Sequence, residues 1–239
     1  PDGTSSILGT TGSSPLGIAL DAAGNVYTAN ALSNDVSKIT PDGISTILET
    51  TGSFPAGIAI DAAGNVYTAN FNSNTVSKIT TDGTSTILGT TGAGPQRIAL
   101  DAAGNVYTGN YGSSNVSKIT PEGSSTILGT TGSGPYGIAL DAAGNVYTTN
   151  RATDNVSKIT PEGSSTILGT TGDYPFGIAL DAAGNVYTGN NSSANVSKIT
   201  PASTASYLAD GDTSPITITG LTNDTEYLIS LIAVNDVGE

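Results

Sequence analysis

The stretch Pro15-Leu16-Gly17-Ile18-Ala19-Leu20-Asp21-Ala22-Ala23-Gly24-Asn25-Val26-Tyr27-Thr28 returns almost unchanged from Pro55, Pro95, Pro135 and Pro175. The spacing is the same each time and the whole unit returns with it, so residues 1–200 hold five copies of one supersecondary element. A period of roughly 40 residues marks a repeat architecture, in which each unit buries its apolar surface only against its neighbours.

Turn residues divide each unit into four short strands. Ile18-Ala19-Leu20 is the first, and Asp21-Ala22-Ala23-Gly24-Asn25 closes it with an Asx side chain and a Gly free to take positive φ. Val26-Tyr27-Thr28 is the second, followed by a variable Asn/Ser/Gly loop and then Val36-Ser37-Lys38-Ile39-Thr40. Pro41-Asp42-Gly43 turns the chain into Ser45-Thr46-Ile47-Leu48, and a Thr-Gly-rich link leads to the next Pro. Gly, Pro and β-branched residues in every stretch argue against helices. Four strands in about 40 residues is the arithmetic of a β-propeller blade, so the expected fold is an all-β propeller of four-stranded blades. Large Ile18 and Leu20 flanking small Ala19 let one blade's bulky face meet the small face of the next.

Pro15-x-Gly17-Ile18-Ala19-x-Asp21-x-x-Gly24-Asn25-Val26-Tyr27 resembles the NHL repeat, and the likeness covers all five units of residues 1–200. It implies a propeller, commonly of six blades. The chain departs from that family in carrying Asn30, Asn70, Asn110, Asn150 and Asn190 where an acidic residue is frequent, and in lacking the basic residue before the third strand. Zinc-dependent lyases of related fold need His and RNA-binding members need a basic face, so neither activity carries over.

Residues 201–239 differ in kind. Leu221-Thr222-Asn223-Asp224-Thr225-Glu226-Tyr227, with Ala233-Val234-Asn235 and Gly238, resembles the second half of a fibronectin type III domain, Tyr227 standing as its tyrosine corner. Half a sandwich cannot bury a core of its own. Pro215, Ile218 and Tyr227 also keep the repeat's phase, one further period beyond Pro175, Ile178 and Tyr187. Six blade positions are therefore favoured, the tail filling a degenerate sixth; the alternative is five blades and an unpaired tail. Thr4-Ser5-Ser6-Ile7-Leu8 matches a fourth strand that precedes any first one, and is expected to complete the last blade. A start in mid-repeat is what a processed or excised piece would show.

Composition narrows the function. A net charge of −13 with seven basic residues argues against nucleic acid and against an anionic membrane surface. No apolar run approaches the length of a membrane span, so no insertion is expected. With no Cys and no His, thiolate chemistry and the commonest general base and zinc ligand are missing. Five near-identical blades offer copies of the same groups, whereas catalysis needs unlike groups with pKa values pushed apart. No catalytic residue, metal ligand or cofactor is assigned, and the chain is read as non-enzymatic. Asp21 and its four counterparts are read as hairpin caps, Lys38 and its counterparts as solvated cross-strand partners near the next turn's acid. The sequon Asn115-Val116-Ser117, repeated at Asn155 and Asn195, is a by-product of the repeat.

Comparison of the units gives the functional signal. Strands and both tight turns are constant; variation concentrates around the Pro and in the loop after the second strand, which lie on one face of an antiparallel propeller. Phe54, Phe71, Phe176, Tyr111, Tyr136, Tyr174, Arg97 and Arg151 all occupy those positions. Aromatics and Arg anchor recognition sites, and with Asn, Asp and Gln96 around them they suit a sugar or a peptide. Tyr136, Phe176, Phe54, Tyr174 and Arg97 are expected to gather at the channel mouth as an aromatic floor with one cation. The reading is thus a monomeric, extracellular or cell-surface binding module for a glycan or protein ligand. The alternatives are a metal-dependent hydrolase or lyase of the gluconolactonase-like propeller type, and a structural spacer.

Overall fold

The computed structural model describes Gly3 and residues 5–201; residues 202–239, which carry the fibronectin-like tail and the degenerate sixth blade of the sequence reading, lie outside the described residues. No helix occurs among the described residues. The first repeat forms β1 (Pro15–Leu20), β2 (Val26–Asn30), β3 (Asp35–Ile39) and β4 (Ser45–Thr50). The second forms β5 (Pro55–Ile60), β6 (Val66–Asn70), β7 (Thr75–Ile79) and β8 (Ser85–Thr90). The third forms β9 (Pro95–Leu100), β10 (Val106–Asn110), β11 (Asn115–Ile119) and β12 (Ser125–Thr130). The fourth forms β13 (Pro135–Leu140), β14 (Val146–Asn150), β15 (Asn155–Ile159) and β16 (Ser165–Thr170). The fifth contributes β17 (Pro175–Leu180), β18 (Val186–Asn190) and β19 (Asn195–Ile199). Each repeat is one antiparallel sheet in sequence order, four-stranded except the last. First strands of successive sheets pack on one another, β1 on β5, β5 on β9, β9 on β13 and β13 on β17, which makes them the innermost strands of a propeller.

Strand alternation builds the core between sheets. Tyr27, Ala29 and Val36 of the first sheet pack on Ile58, Val66 and Ile79 of the second. The same interlock joins Tyr67, Ala69 and Val76 to Ile98, Val106 and Ile119, and it recurs at the next two seams. Ile18 and Leu20, on the unmatched side of the first sheet, are exposed, as is Val196 of the last. Residues 5–10 form no strand among the described residues, and β19 carries no fourth strand there. Instead Thr10 N–H donates to Ser45 Oγ at 2.9 Å. The equivalent contact one seam later joins Ser85 Oγ to the Thr50 carbonyl, so Thr10 stands against the first sheet where a preceding sheet's outer strand would.

Two polar devices hold each sheet. Asp101 Oδ1 accepts from the backbone N–H of Ala103 and Asn105, and Oδ2 accepts from Asn105 Nδ2 and the Tyr107 hydroxyl at 3.0 Å. The same four bonds occur in every repeat, beginning with Asp21. The aspartates are therefore turn caps that also lock the tyrosine of the second strand. At the other end, buried Asn110 donates to Ser117 Oγ at 2.8 Å and to Asn115 Oδ1 at 2.7 Å, while Gly92 N–H donates to Ser117 Oγ. This pins the strand loop to the inter-blade link. It also closes the sequon, because Asn115 and Ser117 are consumed by the network and Ser117 is buried. Lys38 differs from expectation. Register places it directly opposite Tyr27, and its ammonium lies 5.6 Å from that ring rather than on the next turn's acid.

Candidate binding face at the channel mouth

Each inner strand begins with a register shift. Pro15 pairs with Asn30 and Gly17 with Ala29, leaving Leu16 without a partner opposite; Pro175 and Gly177 leave Phe176 likewise. In the fourth sheet the irregularity lies between Pro135 and Ile138 and takes in Tyr136. A bulge re-aims the side chain it carries and is a recurring device next to binding sites. Leu16, Ala56, Gln96, Tyr136 and Phe176 hold this position, so its aromatic members fall on the fourth and fifth repeats.

There the variable residues converge. The rings of Tyr136 and Phe176 stack with centroids 4.7 Å apart and planes 19° apart. The Arg97 guanidinium lies 4.9 Å from the Tyr136 ring. Arg151 lies 5.0 Å from the Phe176 ring and 4.7 Å from that of Tyr174. Five of the eight candidates thus form one ladder, Arg97–Tyr136–Phe176–Arg151–Tyr174. It carries two cations rather than one, and its rings stack on one another and on guanidinium instead of spreading into an open floor. Arg97 donates through Nη1 to the carbonyls of Ala56 and Gln96, at 3.1 and 3.2 Å, and through Nη2 to the Tyr136 hydroxyl at 3.5 Å, all neutral acceptors. Arg151 Nε is buried without a hydrogen-bond partner among the described residues.

The other three candidates do different work. Phe54 and Phe71 pair at 5.9 Å in a tilted geometry within the second repeat. Phe71 and Tyr111 also cover Gly94 and Gly134: a Cβ at those glycines would come 2.9 Å from Phe71 Cε2 and 3.0 Å from Tyr111 Cε2. Among the described residues, no ring or cation contact joins Phe54, Phe71 or Tyr111 to the ladder.

Two features escape a reading of residue types. Thr149 Oγ1 accepts from Gly137 N–H at 2.8 Å and donates to the Phe176 carbonyl at 3.3 Å, fixing the backbone that carries both stacked rings. Its counterparts are Ala29, Ala69, Gly109 and Gly189, so the lone hydroxyl at an Ala/Gly position was the signal. The residue before each Pro, furthermore, is left-handed throughout, with φ of 57° at Ser14, 56° at Phe54, 65° at Gly94, 68° at Gly134 and 56° at Tyr174. For bulky aromatics such a backbone costs on the order of 1–3 kcal/mol and persists where neighbours or function demand it.

The sheets and their radial order define a β-propeller. The chain belongs, more specifically, to the virginiamycin B lyase family, whose model matches residues 48–239. No curated protein sequence matches it. Among solved structures it is similar to a catalytically inactive histidine-to-alanine variant of virginiamycin B lyase from Staphylococcus aureus with quinupristin: TM-score 0.67, 19% identity, 79% of this chain and 70% of that one. A streptogramin B lyase gives TM-score 0.65 at 16% identity, covering 76% and 67% of the two chains. A nidogen/laminin complex gives 0.66 at 21% identity, covering 79% and 76%. At these identities the likeness shows the fold, and it is shared by lyase and binding propellers alike.

Proposed function

We propose that this chain is a non-catalytic binding propeller, extracellular or at a cell surface, that presents its variable face to a glycan or protein ligand. The observation that carries the reading is the ladder: of the positions that differ between repeats, the two arginines and three of the aromatics meet in one continuous stack. Nothing in the packing of a repeat requires this, since the first-to-second and second-to-third seams close without it. The similar nidogen structure, a complex with laminin, lends support from a propeller that serves protein binding. The inactive lyase variant crystallised with quinupristin, so a family propeller without its catalytic histidine still holds a ligand. This chain has no histidine at all. A glycan and peptide array probed with the purified chain tests the proposal; no captured ligand would refute it.

A lyase or hydrolase reading has family membership in its favour. Among the described residues, however, no three acidic side chains converge as a metal site would need. Turnover of quinupristin by the purified chain, with and without added divalent cation, separates the two readings.

A further inference from the structure

Two guanidiniums sit at either end of a stacked aromatic pair, on a chain whose formal charge is −13. Both are spent on neutral partners. Arg97 reaches carbonyl oxygens and a phenol, Arg151 faces two rings, and one Arg151 N–H is buried with no acceptor among the described residues. Stacking on an aromatic face holds a guanidinium plane without neutralising it. A cation kept unpaired in a partly desolvated place is poised for an anion, and the planar fork of Arg fits a carboxylate.

We infer that the ladder is a receptor for a carboxylate borne on a saccharide, that is, a uronate-containing glycan. The inference rests on the binding-propeller reading and names its ligand class. The surroundings favour sugar over acidic peptide. Gln96 stands at the bulge position beside Arg97. Asn191 and Ser192 are tied through their backbone N–H to the carbonyls of Tyr174 and Asp173. These residues add amide and hydroxyl groups near Tyr174, suited to the hydroxyls flanking a sugar carboxylate, beside the Asp154 carboxylate, which accepts from Tyr174 N–H at 2.9 Å. The rings that could form an apolar pocket for a peptide side chain are already stacked on each other and on the arginines. Each guanidinium, at its own end of the ladder, would take one carboxylate of the glycan through an N–H edge that it does not use within the chain.

Isothermal titration of the full chain with oligogalacturonate, oligomannuronate and a hyaluronan tetrasaccharide tests this. Each is run beside its methyl ester, which keeps the shape and removes the charge, and beside triglutamate. Saturable binding of at least one uronate is expected, weakened about tenfold or more by esterification and by Arg97→Gln or Arg151→Gln. Lys38→Gln, which removes a cation stacked on Tyr27 in the first sheet, should change nothing. The ester comparison uses the unaltered chain, so it decides even if an arginine variant is poorly folded. An ester that binds as tightly as its acid, arginine variants that bind as tightly as the parent, or triglutamate that binds tighter than every uronate would overturn the inference. So would silence from all three uronates. If the array nevertheless yields a neutral glycan or a peptide, the binding-propeller reading stands and only the acidic-saccharide inference falls; an empty array removes both.

Discussion

Replacing Asp101 by Ala tests whether the aspartate–tyrosine lock holds the blade. The carboxylate accepts four hydrogen bonds, from Ala103 N–H, Asn105 N–H, Asn105 Nδ2 and the Tyr107 hydroxyl. A hydrogen bond to a charged acceptor contributes about 1.5–3 kcal/mol where water cannot replace it. Water can replace it at Ala103, which is exposed, and partly at Asn105; the Tyr107 ring is 4% exposed, and its hydroxyl loses most. The variant should therefore cost about 3 kcal/mol, less than four full bonds, and lower Tm by roughly 6–12 °C for a domain of this size. Tyr107→Phe should cost about 1.5 kcal/mol, and the double variant should fall short of additivity by about 1 kcal/mol because the shared bond is counted once. Urea denaturation of the four proteins measures all three quantities. An Asp101→Ala change within about 0.5 kcal/mol of the parent, or strict additivity, would refute the lock.

The same groups set the pH range. Burial pushes Asp61, Asp101 and Asp141 up, but hydrogen bonds from the following Asn, the Tyr hydroxyl and the turn N–H outweigh it and hold each carboxyl below its ordinary value. Depressed folded values mean stability that is present above the unfolded carboxylate pKa of about 4 and lost as pH falls below it. Burial and then the aspartate raise Tyr27 and Tyr147 to about 12, so their contribution is complete below the unfolded value of about 10 and lost as pH climbs to about 12. Stability measured across pH should thus fall at both ends, and phenolate absorbance should lag free tyrosine. A Cβ at Gly137 would lie 2.5 Å from the Phe176 carbonyl and 2.9 Å from Thr149 Oγ1, whereas one at Gly109 meets nothing closer than 3.7 Å. Gly137→Ala should cost about 1–3 kcal/mol and Gly109→Ala about nothing, or stabilise slightly, by thermal melts. Tyr174→Gly relieves the left-handed backbone of a residue 44% exposed, so stability should stay level or rise by up to about 1 kcal/mol while ligand affinity drops; a matched loss of both would make the residue structural.

The period made the sheets, their radial order and the two tight turns legible, because every repeat states them again and each rests on local chemistry, Asx at one hairpin and Pro with Gly at the other. The variable face was legible too, since antiparallel strands put the blade link and the second loop at one end. The grouping of residues on that face was not. Arg97 of the third repeat meets Tyr136 of the fourth, and Arg151 of the fourth meets Tyr174 at the entry to the fifth, through contacts between sheets that no single repeat encodes. Proximity to the Pro suggests that Phe54 belongs with Tyr174, yet the pairing with Phe71 keeps it in its own repeat. Lys38 meets a related limit: sequence distance to the next acid suggests an ion pair, while cross-strand register puts a ring directly opposite.

Seam geometry bears on whether the diversity of this face is mere drift. Phe71 crowds position 94 and Tyr111 crowds position 134, where a Cβ would lie 2.9 and 3.0 Å from the ring edge, and both positions are glycines at positive φ. A large residue in one repeat's loop is thus answered by the absence of a side chain at the start of the next, and random exchange at either position alone would be penalised by packing. The seam between the fourth and fifth repeats breaks that rule. Arg151 and Tyr174 are both large, Tyr174 stands partly in solvent at a φ of 56°, and Arg151 Nε is left without an acceptor among the described residues. A glycine at 174 would have closed this seam as it closes the two before it. Retaining a strained aromatic and an unsatisfied cation there sacrifices stability, and drift under packing constraint runs the other way. Under the binding function proposed above, a ligand that accepts from Arg151 and covers Tyr174 would offset that loss, and the ladder, rather than the aromatic content of the face as a whole, is the proposed recognition site.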